Sequence, residues 1–148
     1  FICSPKEGMK DILNLKVKGR EFYRPFAPVC KLDDVNKFFE WEGESKHMNY
    51  AAIVKDEYRE QLASITHNDN TARIQTVTRE QNAFIYDLLS EMDKNNITPV
   101  LLNTSFNVAG KPILNTYEDA FIVLKNTDMD GLIIINEYTS KYGKMFLK

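Results

Sequence analysis

Residues 73–103 read RIQTVTREQNAFIYDLLSEMDKNNITPVLLN, and they contain the clearest secondary-structure pattern in the chain. Polar and apolar side chains alternate over Arg73–Thr78, which is the period of a half-buried strand. Residues Pro99–Asn103 form a short apolar run before a polar turn, and such a run is typical of a buried strand. The segment therefore predicts two strands separated by the length of a helix.

The residues between these strands carry the signals of a helix. Residues 78–81 read TREQ, which is the order of a capping box. Phe84, Leu88 and Met92 then recur at helical spacing. We expect a helix from about Glu80 to Lys94.

Further elements are predicted on both sides of this unit. Residues Leu13–Arg20 alternate and predict a strand with one basic face, and Leu132–Ile135 predicts a final buried strand. Asp33 or Asp34 is expected to cap a short helix, and Thr116 a second one. The side chains expected to be buried in these two helices are Val35, Phe38, Phe39, Ala120, Phe121 and Leu124.

The succession of strands and helices predicts an α/β protein of the α+β type, with a parallel or mixed sheet. At 148 residues and 43% hydrophobic content, we expect one domain spanning 1–148. The chain opens on Phe1 without an initiator Met, so we expect it to be a piece of a longer protein. No apolar run approaches membrane-spanning length, and two cysteines make no disulfide framework, so a cytoplasmic location is expected.

The first candidate site is the basic run Lys16–Arg24, which concentrates cations in a chain of net charge −2. On a strand, Lys18 and Arg20 would lie on the same face and could converge on one anion, such as a phosphate. Gly19 between them would let a ligand approach the backbone. The same run could instead be a solvated edge that discourages strand pairing.

Two polar loops are further candidates. Residues 66–73 place hydroxyl, amide and acidic groups in a loop that feeds a strand, where α/β proteins often bind ligands. His67 could act there as an acid or base, although a lone histidine in a loop more often makes structural hydrogen bonds. In the turn after Asn103, Ser105 and Asn107 could bind phosphate or ribose oxygens, or could simply satisfy their own backbone. No second His or Cys stands at metal-ligand spacing, so no metal site is expected.

These segments together resemble the C-terminal domain of the carbamoyltransferase family that includes nodulation proteins and antibiotic O-carbamoyltransferases. The resemblance runs in order through nearly the whole chain. The matching stretches are residues 13–21 (LNLKVKGRE), 24–28 (RPFAP), 66–73 (THNDNTAR), 75–77 (QTV), 102–107 (LNTSFN) and 118–120 (EDA).

The resemblance implies a YrdC-like fold, with a three-layer arrangement of a twisted, mostly parallel or mixed sheet flanked by helices. It implies an enzyme domain that takes carbamoyl phosphate and ATP, with Mg²⁺ accompanying the nucleotide, and forms carbamoyl adenylate. An N-terminal sugar-kinase-like domain of the same full-length chain would then transfer the carbamoyl group to a hydroxyl acceptor.

The family's Lys-x-Arg and Ser-x-Asn pairs fall on Lys18 with Arg20 and on Ser105 with Asn107. By the same resemblance, Arg24 and Arg73 are expected to join Lys18 in the catalytic centre. The residues expected to bind substrate are Arg20, His67, Thr71, Thr104, Ser105 and Asn107. The chain departs from the family at Asn70, where glycine is usual, and at Lys111, where an acidic residue is common.

Two other functions fit the residues. One is a non-catalytic module that binds nucleotide or phosphate, and the other is an RNA-binding YrdC-like domain. The acidic balance of the chain, with no basic stripe beyond residues 16–24, argues against nucleic acid.

Overall fold

The computed structural model of the protein describes residues 2–135 and 144–147. Within them the chain folds as two compact units. The first unit comprises the residues up to Lys10 together with Tyr23–Thr104, and the second comprises Asp11–Phe22 and the residues from Ser105 onward. The expectation of one domain stays a prediction.

A five-stranded mixed sheet organises the first unit. Its order is β1-β5-β2-β4-β3, in which β2 and β4 pair in parallel and the other neighbours pair antiparallel. The central strand β2 is buried at four of its five positions, as expected for a strand covered on both faces. The strands are β1 (Ile2–Cys3), β2 (Ala27–Lys31), β3 (Tyr50–Ile53), β4 (Thr71–Val77) and β5 (Val100–Asn103).

The α-helices of the described residues are α1 (Met9–Ile12), α2 (Val35–Phe38), α3 (Ala83–Lys94) and α4 (Tyr117–Asn126). Helix α3 packs on one face of the sheet, where Leu89 meets Val29, Val77 and Leu101. The strand–helix–strand pattern of residues 73–103 is confirmed. The helix begins at Ala83 rather than Glu80, because Asn82 caps it by accepting a hydrogen bond from the Ile85 N–H.

The short helix α2 also forms as predicted and buries Val35 and Phe38, with Phe39 buried just after it. Neither Asp33 nor Asp34 caps it through a side chain. Asp34 instead lies 2.8 Å from the Lys31 ammonium.

The second unit contains the main error of the sequence prediction. Leu13–Lys18 forms a π-helix that continues α1, not a strand. Its buried residues are Leu13, Asn14, Val17 and Lys18, a helical spacing, and Leu15 is 62% exposed. The apparent alternation arose because exposed Leu15 fell by chance between Leu13 and Val17.

The rest of this unit packs α4 against a two-stranded antiparallel ribbon, β6 (Gly131–Ile134) with β7 (Lys144–Leu147). Thr116 caps α4 as predicted, since its Oγ1 accepts from the Asp119 N–H at 3.1 Å. Ala120 and Leu124 are buried as expected, but Phe121 is not, and β6 is followed by a further strand. The mixed five-stranded sheet of the first unit, together with the helices, confirms the α+β class.

Candidate functional site

Lys18 is the most constrained charged residue of the predicted site. It lies at the end of the π-helix and is 2% exposed. Its ammonium donates to Ser105 O at 2.6 Å, to Ser105 Oγ at 3.2 Å and to Asn107 Oδ1 at 2.8 Å. The structure thus brings Lys18, Ser105 and Asn107 together, and we call them the lysine cluster.

Local backbone geometry places this lysine. Gly19 ends the π-helix in the left-handed conformation, with φ 61°. The Lys18 carbonyl then accepts from the Ala109 N–H at 2.7 Å, which ties the helix end to the loop after Asn107. Asn107 is held in that loop because its Nδ2 donates to the Lys111 carbonyl at 3.0 Å.

The electrostatics of the lysine cluster favour an anion. Burial, and secondarily the nearby Arg20 guanidinium, lowers the pKa of Lys18 from 10.5 to about 8. The Ser105 and Asn107 oxygens that accept from the ammonium are neutral groups. A negative group placed here would stabilise the charged lysine.

Arg20 is positioned by a residue that the sequence analysis did not single out. Its Nε donates to Asn14 Oδ1 at 2.8 Å, and Asn14 Nδ2 donates to the Phe22 carbonyl at 3.0 Å. Asn14 is fully buried. The expected strand face shared by Lys18 and Arg20 is therefore wrong, because the two side chains leave a helix terminus. Asn14 stands four positions before Lys18, about one helical turn, but its burial could not be read from the sequence.

The second polar loop is closed by its own hydrogen bonds. Asp69 Oδ1 accepts from the Thr71 N–H at 3.0 Å and from the Thr71 hydroxyl at 2.7 Å. Asn70 adopts φ 63°, so the turn is left-handed without glycine, as asparagine tolerates. These bonds also lower the pKa of the Asp69 carboxyl.

His67 is held by the same loop. Because the Thr71 hydroxyl donates to Asp69, His67 Nδ1, 3.2 Å from that hydroxyl oxygen, must be the protonated nitrogen. Burial lowers the pKa of His67, which favours this neutral ring. Its Nε2 is buried with no hydrogen-bond partner in the described residues. His67 lines a cavity of about 340 Å³ with Lys10, Tyr23 and Asp69.

The other predicted site residues lie in the first unit. Arg73 is exposed on β4, opposite Ala51 of β3, and Arg24 is exposed before β2. Thr104 is half-buried directly after β5. Lys18, Arg20, Ser105 and Asn107 belong to the second unit. The convergence of these groups on one ligand stays a prediction.

Neither a cluster of metal-ligating side chains nor a membrane-spanning helix occurs among residues 2–135 and 144–147. In this part of the chain no three His, Cys, Asp or Glu side chains come close enough to hold a metal ion. None of its helices combines the length and apolar character needed to cross a membrane.

Comparison with known proteins identifies the class. The family described as carbamoyltransferase C-terminus matches residues 2–141. The chain belongs to this family.

Several curated relatives share the match. Nodulation protein NolO of Bradyrhizobium diazoefficiens is 41% identical over 128 residues, which cover 84% of this chain and 23% of that protein. The 3'-hydroxymethylcephem-O-carbamoyltransferase of Streptomyces clavuligerus is 41% identical over 110 residues, covering 74% of this chain and 20% of that enzyme. Nodulation protein U of Azorhizobium caulinodans is 38% identical over 103 residues, which cover 70% of this chain and 18% of that protein. The chain thus matches about a fifth of the length of these relatives.

Proposed function

We propose that this chain is the carbamoyl-activating domain of an O-carbamoyltransferase, which binds carbamoyl phosphate and ATP and forms carbamoyl adenylate. The observation that carries the proposal is the lysine cluster. A buried ammonium oriented by Ser105 and Asn107 can bind an anionic ligand, and it occurs in a chain whose relatives include an enzyme named for O-carbamoyl transfer.

The proposed reaction has two steps. Water cleaves carbamoyl phosphate to carbamate and inorganic phosphate. A carbamate oxygen then attacks the α-phosphorus of ATP, forming a new P–O bond while the bond to pyrophosphate breaks. Both steps bring anions together, so charge neutralisation and alignment are the main tasks of the protein.

Cationic side chains would perform the neutralisation. Lys18, Arg24 and Arg73 would hold the phosphate groups, with the two arginines able to bind oxygens in pairs. Carbamate is short-lived in water, so the first intermediate must be kept in a closed site until it attacks ATP.

Neutral polar groups would orient the ligands. Ser105 Oγ donates to Asn107 Oδ1 at 2.7 Å and could turn its proton toward a ligand oxygen instead. The other side chains proposed to contact substrate are Arg20, His67, Thr71 and Thr104.

A magnesium ion would accompany ATP and neutralise part of its phosphate charge when bound. We propose that ATP phosphates and water supply most of its ligands. The described residues provide no preformed carboxylate cage, so their own part is to hold the phosphates rather than the ion.

The remaining parts of the proposal concern the whole enzyme. The relatives are about five times as long as the matched region, which leaves room for the proposed N-terminal sugar-kinase-like domain. That domain would pass the carbamoyl group from adenylate to a hydroxyl acceptor. We place the reaction in the cytoplasm.

Isotope exchange between pyrophosphate and ATP tests the proposal. The chain should catalyse exchange that requires carbamoyl phosphate. ATP binding without such exchange would instead support a binding module, and retention of RNA on filters at low salt would support the RNA-binding alternative.

A further inference from the structure

A buried asparagine lies in the π-helix four positions before Lys18. Asn14 is fully buried, although polar side chains are rarely buried unless they are hydrogen-bonded. Its amide makes two contacts with the segment that follows the helix. Oδ1 accepts from Arg20 Nε at 2.8 Å, and Nδ2 donates to the Phe22 carbonyl at 3.0 Å. All of these residues belong to the second unit.

The main chain of Asn14 contacts the same segment. Its carbonyl accepts from the Gly19 N–H and from the Arg20 N–H, the latter at 2.8 Å. Any residue at position 14 could supply this carbonyl. The backbone bonds therefore do not explain why the buried side chain is an amide.

The two partners of the side chain explain the amide. An arginine Nε–H can only donate and a carbonyl can only accept, so the side chain between Arg20 and Phe22 must carry one acceptor and one donor. An ionised aspartate would supply no donor for the Phe22 carbonyl, and leucine would supply neither group. Asparagine meets both needs and is neutral, so it restrains the guanidinium without placing a negative charge beside it.

The restraint matters because a second cation is close. Lys18 precedes Arg20 by two positions, and the Arg20 guanidinium contributes to the lowered pKa of Lys18. Like charges repel and an arginine side chain has several rotatable bonds, so an unrestrained Arg20 would gain by turning away from Lys18. The Asn14 bond opposes that movement. It keeps the two cations together against a repulsion that a bound anion would relieve.

Two cations held side by side suit a ligand with more than one negative charge. Arginine and lysine both bind phosphate oxygens through charge-assisted hydrogen bonds. We propose that Asn14 is a positioning residue for anion binding, which holds Arg20 beside Lys18 so that both cations act on one phosphate group. The inference rests on the proposed function for the choice of a phosphorylated ligand.

Calorimetric titration with inorganic pyrophosphate at low salt tests the proposal through a double-mutant cycle. Asn14→Leu should weaken pyrophosphate binding about tenfold, the loss of one well-placed charge-assisted hydrogen bond. In an Arg20→Met background, which itself weakens binding, Asn14→Leu should cause no further loss, because Asn14 acts through Arg20. A merely structural role of Asn14 would give the same loss in both backgrounds.

Two further variants separate positioning from general effects on the fold. Asn14→Thr lacks the amide but keeps a hydroxyl that can bond to a carbonyl of its own helix, and it should show the same dependence on Arg20. The matched control is Asn126→Leu at the end of helix α4 in the same unit, where the Asn126 amide donates to the Ile122 carbonyl. This control should bind pyrophosphate with unchanged affinity. Urea unfolding of each variant checks that it is folded.

Equal losses from the Asn14 substitutions in both backgrounds would overturn the inference, as would unchanged affinity in these variants or no pyrophosphate binding by the unaltered protein. The outcomes separate it from the proposed function. If carbamoyl-phosphate-dependent exchange is present while the effects of the Asn14 and Arg20 substitutions add, only the role of Asn14 fails. If exchange is absent while the loss in the Asn14 variants depends on Arg20, the role of Asn14 stands and the proposed function fails.

Discussion

The three N–H donors of the Lys18 ammonium meet three oxygens of Ser105 and Asn107. A lysine ammonium has three donors in all, so the hydrogen-bonding need of a buried charge is met. Burial, and secondarily the nearby Arg20 guanidinium, lowers the pKa of Lys18, so a negative group bound here would stabilise the charged form.

The first prediction at the residue scale concerns activity. Lys18→Ala should reduce carbamoyl-phosphate-dependent exchange roughly 10²–10³-fold, because one preorganised electrostatic contact is lost. The matched control is Lys16→Ala, an exposed lysine two residues earlier on the same π-helix, which should retain nearly full activity. Full activity in Lys18→Ala would remove the lysine from the proposed mechanism.

A second prediction follows from the pKa of Lys18, which is about 8 in the folded protein and near 10.5 in the unfolded chain. Between these values the unfolded state binds more protons, so stability should rise with pH. Below pH 8 the cost of burying the charge is fully present. Other groups also titrate in this window, so the measurement is the difference between the protein and Lys18→Met.

Urea unfolding from pH 7.5 to 10.5 provides that difference. Over this pH range the free energy of unfolding should rise more in the protein than in Lys18→Met, by about 3 kcal/mol at most. If the free energy of unfolding changed with pH by the same amount in both proteins, Lys18 would have an ordinary pKa.

At the scale of elements, the end of the π-helix fixes the position of the lysine. Gly19 has φ 61°, and a Cβ added there would lie 3.9 Å from Ala109 Cβ, an ordinary contact. Only backbone strain should therefore oppose substitution. Gly19→Ala should cost about 1 kcal/mol of unfolding free energy, and Gly19→Asn should cost less. Equal losses for the two variants in urea would argue against a left-handed residue.

Helix α4 depends on its cap in a similar way. Removing the Thr116 hydroxyl leaves the Asp119 N–H without its acceptor, so Thr116→Ala should lower the free energy of unfolding by about 1 kcal/mol. Thr116→Ser keeps the oxygen and should retain most of the stability. Urea denaturation of the three proteins checks this, and a neutral Thr116→Ala would contradict the cap.

At the scale of the whole molecule, the thiols report on the sheet of the first unit. Cys30 is fully buried in β2, and burial raises its pKa to about 12. Cys3 is half-buried in β1, and burial raises its pKa to about 11. At pH 8, Ellman's reagent should modify Cys3 slowly and Cys30 only as the sheet unfolds. In urea both thiols should react rapidly. Rapid reaction of both thiols in the native protein would contradict the fold.

Family membership also belongs to this scale. The motifs recognised in sequence run through both units, including residues 13–21 in the second and 66–73 in the first. The match to the family over residues 2–141 confirms the resemblance.

The sequence by itself determined the family, the α+β class, and the strand–helix–strand unit of residues 73–103. Those elements are long or strongly periodic, and their caps and apolar spacing are local properties of the chain. The same holds for the Thr116 cap, which needs contacts only three residues apart.

Tertiary structure alone decided the conformation of Leu13–Lys18 and the partners of Lys18. A short run can satisfy strand and helix periods at once, and only burial of Asn14 and Lys18 against distant residues distinguishes them. The Asn103–Gln75 pair likewise joins residues 28 positions apart through neighbouring strands of a sheet. Such contacts depend on strand order, which local patterns do not encode.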